Sequence, residues 1–162
     1  MKRLSIVIAL STLAAACGGT STSPSATKPT FTADLKPSNE TTTVVGPEAS
    51  GSGQATITFD TSATPATATF VVTLTGFPAG TSIVAAHIHP GVAGVAGSPL
   101  LSTALVAGEL VLATGSGSFT RTINAPSDVA QQIINNPSAF YFNIHTAANP
   151  GGVARGQLVR VQ

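Results

Sequence analysis

After residue 30, apolar and polar residues alternate along much of the chain with a period of two. In the segment 66–75, threonines and one valine alternate with Ala68, Phe70, Val72 and Leu74. Because successive side chains of a strand point to opposite faces, this pattern predicts a β-strand with one buried and one solvent-facing side. Comparable patterns predict strands at 31–35, 54–60, 83–89, 100–105, 109–112, 116–123, 140–146 and 153–161.

One segment has helical spacing instead. In residues 126–135 the apolar side chains recur three or four positions apart, at Val129, Ala130, Ile133 and Ile134. Asn136-Pro137 then follows as a stop signal. Short strands at this spacing, separated by Gly and Pro, predict an all-β fold: an antiparallel Greek-key β-sandwich or barrel of about eight strands with one short helix.

The start of the chain has the composition of an export signal. Met1-Lys2-Arg3 is basic, and the apolar run from Leu4 to Ala16 follows it. This run is shorter than the ~20 residues that a membrane-spanning helix needs. Residues 1–16 are therefore predicted to be a signal peptide that is removed.

Cys17, the one cysteine of the chain, follows directly. Leu13-Ala14-Ala15-Ala16-Cys17 resembles the lipobox of bacterial lipoproteins, which implies cleavage before Cys17 and lipidation of that residue. An ordinary signal cleavage that leaves Cys17 as a free thiol is the alternative. Residues 17–30 are rich in Gly, Ser, Thr and Pro and predict a flexible tether. We thus expect an exported protein that is lipid-anchored in the cell envelope, at the outer membrane or cell surface.

The charge and the cysteine content of the chain exclude several classes of protein. Charged residues make up 8% of the chain and form no basic patch interleaved with aromatic residues, so a nucleic-acid partner is excluded. A single cysteine cannot form an intramolecular disulfide, and a hydrophobic core must therefore hold the domain together. We find no paired-carboxylate motif, nucleophile elbow or phosphate-binding glycine loop.

All three histidines fall in two predicted strands. His87 and His89 lie two positions apart, so their side chains share one face of the strand 83–89. The opposite face, expected to pack on the core, carries Val84, Ala86 and Ile88. In the strand 140–146, His145 also lies on the face away from the core. Both histidine faces are therefore expected to be solvent-facing.

If these two strands meet, three imidazoles converge beneath the loop 90–99. Neutral imidazole is a good ligand for copper or zinc, and a His-x-His on one face can chelate through both rings. His87, His89 and His145 are therefore candidate metal ligands, with copper as the candidate cofactor. The alternative is that the histidines only form hydrogen bonds with nearby loops.

Several motifs resemble those of the CHRD (chordin) domain family. They are Ala86-His87-Ile88-His89-x-Gly91, Asn136-Pro137, Tyr141-x-Asn143-x-His145-Thr146, Asn149-Pro150-Gly151-Gly152 and Arg155-Gly156-Gln157-Leu158. The resemblance covers residues 31–162 and departs from the family at residues 41–44, where its usual proline-rich stretch is missing. It implies an extracellular module that in bacteria often stands alone behind an export signal, without a settled activity.

The chain also bears a fainter likeness to the copper-zinc superoxide dismutases. Those enzymes are Greek-key β-barrels with a His-x-His on one strand and a later copper-ligating histidine. The likeness implies copper ligation by His87, His89 and His145. The bridging histidine, the zinc ligands and the disulfide cysteines of that family have no counterpart here.

Three functions therefore stay open. The leading one is a non-enzymatic cell-envelope lipoprotein that binds copper or another transition metal through its histidines. The second is an interaction module for an envelope protein or glycan, with structural histidines. The third is a dismutase-like redox enzyme. Structural roles are expected for Arg155, Glu40 and Asn143, with Arg155 pairing with Glu40 or Asp34 across the closing sheet.

Overall fold

The alternating segments fold into ten strands. The computed structural model describes residues 28–162. The strands are β1 (Thr30–Leu35), β2 (Ser52–Asp60), β3 (Ala66–Thr75), β4 (Thr81–Pro90), β5 (Leu101–Ser102), β6 (Leu110–Leu112), β7 (Gly117–Ala125), β8 (Phe140–Thr146), β9 (Ala154–Gln157) and β10 (Val159–Arg160). One helix of nine residues, α1 (Ser127–Asn135), lies between β7 and β8. The predicted all-β class with one short helix is confirmed.

The strands form two antiparallel sheets. The first has the order β10-β1-β2-β3-β7, and the second has the order β5-β4-β8-β9, with β6 also paired to β4. Strands β3 and β7 are neighbours although β4, β5 and β6 lie between them in sequence. The chain thus crosses repeatedly from one sheet to the other, as the connections of a Greek-key sandwich do.

The strand count exceeds the predicted number because the closing segment is split. Residues 153–161 form β9 in the second sheet and β10 in the first. Leu158 lies at the crossing, where its side chain is buried and its N–H donates to the Phe140 carbonyl. The predicted strand 100–105 is cut to β5, because Thr103 turns inward and its Oγ1 donates to the Ala86 carbonyl.

The facing sides of the two sheets enclose the core. Phe70 on β3 and Phe142 on β8 are fully buried, and their ring centroids lie 5.6 Å apart across the sandwich. Helix α1 adds Ala130 and Ile133, which are also fully buried. Each large apolar side chain buried in this way contributes roughly 1.5–3 kcal/mol. This core supplies the stability that a disulfide provides in many exported domains.

A β-bulge in β4 changes which residues face the core. Ile83 pairs with Thr146 and Ala85 pairs with His145, so two steps along β4 match one step along β8. Ile83 is fully buried, whereas Val84 is only partly buried. The prediction that Val84 faces the core is therefore wrong, because the bulge shifts the alternation by one residue after Ile83.

The second sheet is buried on both of its faces along β8. All seven residues of β8 are buried, and His89 on β4 is 4% exposed. The expectation of a solvent-facing histidine surface is therefore wrong. The loops 91–100 and 147–153 fold over this surface and form hydrogen bonds with His89 and His145.

The signal peptide, the lipidation of Cys17 and most of the tether lie outside the described residues, which begin at Lys28. In the part of the chain that is described, no helix combines the length and the apolar character required to cross a lipid bilayer.

The cross-sheet aromatic contact leads to a stability prediction. We expect Phe70→Ala to lower the free energy of unfolding by about 3–5 kcal/mol, because it removes buried apolar area and leaves a cavity against Phe142. Val71→Ala is the matched control, since Val71 follows on the same strand and is 45% exposed. Its effect should stay within about 0.5 kcal/mol. Chemical denaturation measures both, and equal effects would contradict the assigned core face.

Candidate metal centre

The side chains of His87, His89 and His145 converge on the outer face of the second sheet. Strands β4 and β8 are adjacent and antiparallel, and His145 lies opposite Ala85, two residues before His87. The ring centroid of His87 lies 5.0 Å from that of His145 and 5.5 Å from that of His89. One ring nitrogen of each histidine lies within 4.8 Å of the other two. These residues are called the histidine triad below.

Two loop carbonyls fix the tautomers of the triad. Nδ1 of His89 donates to the Gly97 carbonyl at 2.8 Å, and Nδ1 of His145 donates to the Pro150 carbonyl at 3.0 Å. Because a carbonyl oxygen can only accept, Nδ1 carries the proton in both rings and the Nε2 lone pair is left available. Histidines that bind metals are commonly oriented by such a bond from the other ring nitrogen.

The Nε2 atoms of His145 and His89 differ in their partners. Nε2 of His145 accepts a hydrogen bond from Nδ1 of His87 at 3.2 Å, because the Nδ1 proton of His145 is donated to the Pro150 carbonyl. Nε2 of His89 is buried and has no hydrogen-bond partner among the described residues. A buried acceptor without a partner costs roughly 1–3 kcal/mol. A metal ion bound to the triad would satisfy it.

Burial keeps the triad neutral. Desolvation, with repulsion from His145 and His89, lowers the pKa of His87 from 6.5 to about 4. Desolvation also lowers the pKa of His89 and of His145, and the charge of Arg155 lowers that of His89 further. Neutral imidazole is the form that binds metals. At neutral pH the triad is therefore in the charge state that binds metals, and a metal at Nε2 of His145 would replace the hydrogen bond from His87.

Tyr141 links the triad to a buried arginine. Its ring stacks on His89, with centroids 4.9 Å apart and planes inclined by 8°. The guanidinium carbon of Arg155 lies 4.5 Å from the centre of the same ring. His89 comes from β4 and Arg155 from β9, which flank β8 on opposite sides, so the tyrosine lies between them. Alternation predicts Tyr141 on the histidine face of its strand, but the stack on His89 could not be predicted because the two residues are distant in the chain.

Arg155 is 2% exposed. Its Nε donates to the Asn39 carbonyl at 2.6 Å and its Nη1 donates to the Val95 carbonyl at 3.0 Å. Of the two acids considered from the sequence, Glu40 approaches it, with 3.9 Å between Nε and Oε2. Asp34 is exposed.

Glu40 and Asn143 continue this buried polar layer. Burial raises the pKa of Glu40 to about 7, against the opposing effects of Arg155 and of a hydrogen bond with Asn143. Gly152 permits this packing, since a Cβ at that position would lie 2.7 Å from Oε1 of Glu40. Sequence reasoning missed the role of Gly152, because a close approach of this kind is visible only in three dimensions.

The fold and the site define an antiparallel β-sandwich that carries a buried histidine triad on the outer face of one sheet. The model of the CHRD domain family matches residues 31–158, and the chain belongs to this family. The family resemblance inferred from the motifs is therefore confirmed. No curated protein and no solved structure matches the chain.

The pKa shifts of the triad predict a pH-dependent stability. Well above pH 6.5 the imidazoles are neutral in both states, whereas as the pH falls through 6.5 the unfolded chain takes up protons that the folded triad rejects. We therefore expect the free energy of unfolding of the metal-free protein to fall as the pH is lowered from 6.5 to about 4. Denaturation in the presence of a chelator, at several pH values across this window, measures the slope.

Two variants separate the contributions to that slope. His87→Asn should make it shallower. Glu40→Gln should make it steeper, because the raised pKa of Glu40 contributes stability that is present below pH 4.5 and is lost as the pH rises through about 7. A slope that neither substitution changes would contradict the assignment.

The hydrogen bonds of Arg155 generate a further stability prediction. Arg155→Ala should lower the free energy of unfolding by about 3–5 kcal/mol, since it leaves buried groups without a partner. Arg121→Ala is the control: Arg121 pairs with Glu109 at 3.0 Å, but their side chains are 34% and 40% exposed. Its loss should cost about 1 kcal/mol or less. Similar melting temperatures for the two variants would count against a structural role for Arg155.

Proposed function

We propose that this protein is a non-enzymatic CHRD module of the cell envelope that binds a transition-metal ion, copper, through His87, His89 and His145. The observation that carries the proposal is the state of His89: its Nε2 is buried, lacks a hydrogen-bond partner in the described residues and lies near the other two rings. A purely structural histidine would be expected to use both ring nitrogens or to expose one to water.

The spacing of the donor atoms suits a transition metal after a small contraction. Nitrogen ligands at about 2.0–2.1 Å from a metal lie roughly 3.3–4 Å from one another. The three candidate nitrogens lie within 4.8 Å of one another. Copper is the expected occupant, because imidazole nitrogen is among the ligands that suit it.

Export and anchoring belong to the same proposal. The basic start, the apolar run and Cys17 support transfer out of the cytoplasm and attachment through acyl chains. The tether of residues 17–30 would then hold the β-sandwich close to the membrane surface.

A second candidate is an interaction module whose histidines only hold the loops. A cleft of about 630 Å³ beside Arg155 favours it. The cleft is lined in part by Asn39, Glu40, Arg155 and Gln157, which could form hydrogen bonds with an envelope protein or glycan. The hydrogen bonds from His89 and His145 to loop carbonyls are compatible with both candidates.

Metal titration decides between the candidates. We expect the purified protein to bind one copper ion per chain and to gain thermal stability, by about 2.7 kcal/mol at a free-metal concentration of 100 times the dissociation constant. His89→Ala should weaken binding by at least the roughly 10–100-fold that loss of an outer-sphere partner costs at metal sites. Elemental analysis after dialysis and calorimetric titration measure these effects.

Ser102→Ala is the matched control for the titration. Ser102 pairs with His87 from the neighbouring strand β5, but its side chain is exposed and is not part of the triad. The control should bind copper as the unmodified protein does. Absence of copper binding by the folded protein, or binding that survives His89→Ala, would overturn the proposed metal function in favour of the interaction module.

A further inference from the structure

We infer that the triad selects a monovalent copper ion, Cu(I), over Cu(II) and Zn(II). This inference rests on the proposed metal function and adds the charge and oxidation state of the ion. It follows from three features of the described structure: the charge of the ligands, the charge of the groups behind them, and the number of donors.

The ligands carry no negative charge. The cluster of potential metal ligands consists of three imidazoles and includes no carboxylate or thiolate from the described residues. A bound ion would therefore bring its full charge into the site. His89 is 4% and His145 is 7% exposed, and His87 is partly buried, so much of that charge would be shielded from water. The cost of burying charge rises with its magnitude, which disfavours a dication.

The groups behind the ligands are also uncharged. Nδ1 of His89 and of His145 each donate to a backbone carbonyl, of Gly97 and of Pro150. In many zinc sites a carboxylate takes this place, where it raises the basicity of the imidazole and adds negative charge. Backbone carbonyls orient the ring without compensating the charge of a divalent ion.

The charged side chain linked to the triad has the wrong sign for a dication. Arg155 lies two stacking contacts away, 4.5 Å from the Tyr141 ring centre, which is itself 4.9 Å from the centre of the His89 ring. Glu40 compensates the positive charge of Arg155 incompletely, because the pKa of Glu40 is about 7 and its carboxyl is only partly ionised at neutral pH. The triad therefore lies in a positive potential, which penalises a second positive charge on the ion.

The number of donors points the same way. Cu(II) prefers tetragonal surroundings with at least four ligands. The triad provides three nitrogens, which suits Cu(I), an ion that accepts trigonal coordination. Cu(I) thus matches both the charge and the geometry of the site.

The test compares ions of different charge at the same site. The purified protein is titrated without oxygen against a chromophoric Cu(I) chelator of known affinity, and separately against competitors for Cu(II) and for Zn(II). We expect Cu(I) to be bound most tightly and not to be displaced by an excess of Zn(II). The reduction potential of the bound copper should then lie above that of aqueous copper.

Opposite substitutions in one ion pair separate an electrostatic effect from a loss of structure. At pH 8, Arg155→Gln should shift the preference toward Cu(II) by about tenfold, the effect of a unit charge roughly 10 Å away in a medium of effective dielectric constant near 20. That change equals a potential lower by about 59 mV. Glu40→Gln should raise the potential, and Arg155→Lys, which keeps the charge, should leave it close to the original value.

The outcomes distinguish this inference from the proposed function. Tighter binding of Cu(II) or Zn(II) than of Cu(I) by the triad would overturn the preference for Cu(I) while metal binding itself stands. Shifts of the same sign in Arg155→Gln and Glu40→Gln would also overturn it, because a structural disturbance and not charge would then set the potential. Absence of all three metals from the folded protein would overturn the proposed metal function itself.

Discussion

The second sheet must satisfy polar groups on a face that water does not reach, and the rest of the structure depends on how it does so. Its inner face packs on the core through residues such as Phe142, while its outer face carries histidines, Asn143 and Arg155, which are also buried. Buried polar groups need partners. The backbone groups of paired strands already bond to one another and offer few partners to side chains. The partners are therefore backbone carbonyls of the loops that fold over this face.

That requirement explains why the covering loops are rich in glycine. A Cβ at Gly97 would collide with the carbonyl of Pro90, so only glycine lets the loop turn back and present its carbonyl to His89. Gly152 has a φ of 130°, which other residues rarely adopt, and lies against Glu40 and Asn143. The glycines therefore allow the loop backbone to come close enough for its carbonyls to orient the imidazoles.

The strands and the shared faces of the histidines could be predicted from the sequence because both follow from the period-two alternation, whereas their convergence also required the pairing of β4 with β8. The burial of the histidines beneath the loops could not be predicted, since it depends on contacts between residues distant in the chain. Val84 shows the limit of alternation, because the bulge beside it depends on the pairing of β4 with β8 and leaves no local mark. The burial of Arg155 is the other case: a charged residue predicts exposure unless its partners, here distant carbonyls, are known.

Arg155 joins the closure of the fold to the electrostatics of the triad. Its backbone pairs with Lys36 and thereby connects β9 to the end of β1 in the other sheet. Its side chain holds the carbonyls of Asn39 and Val95, which belong to two different loops. A guanidinium presents its donors in a rigid fork that reaches both loops, and the positive charge beside Tyr141 is therefore a consequence of how the sandwich is closed. The proposed preference of the triad for an ion of low charge would then arise from the fold itself, because the residue that closes the two sheets also carries the charge next to Tyr141.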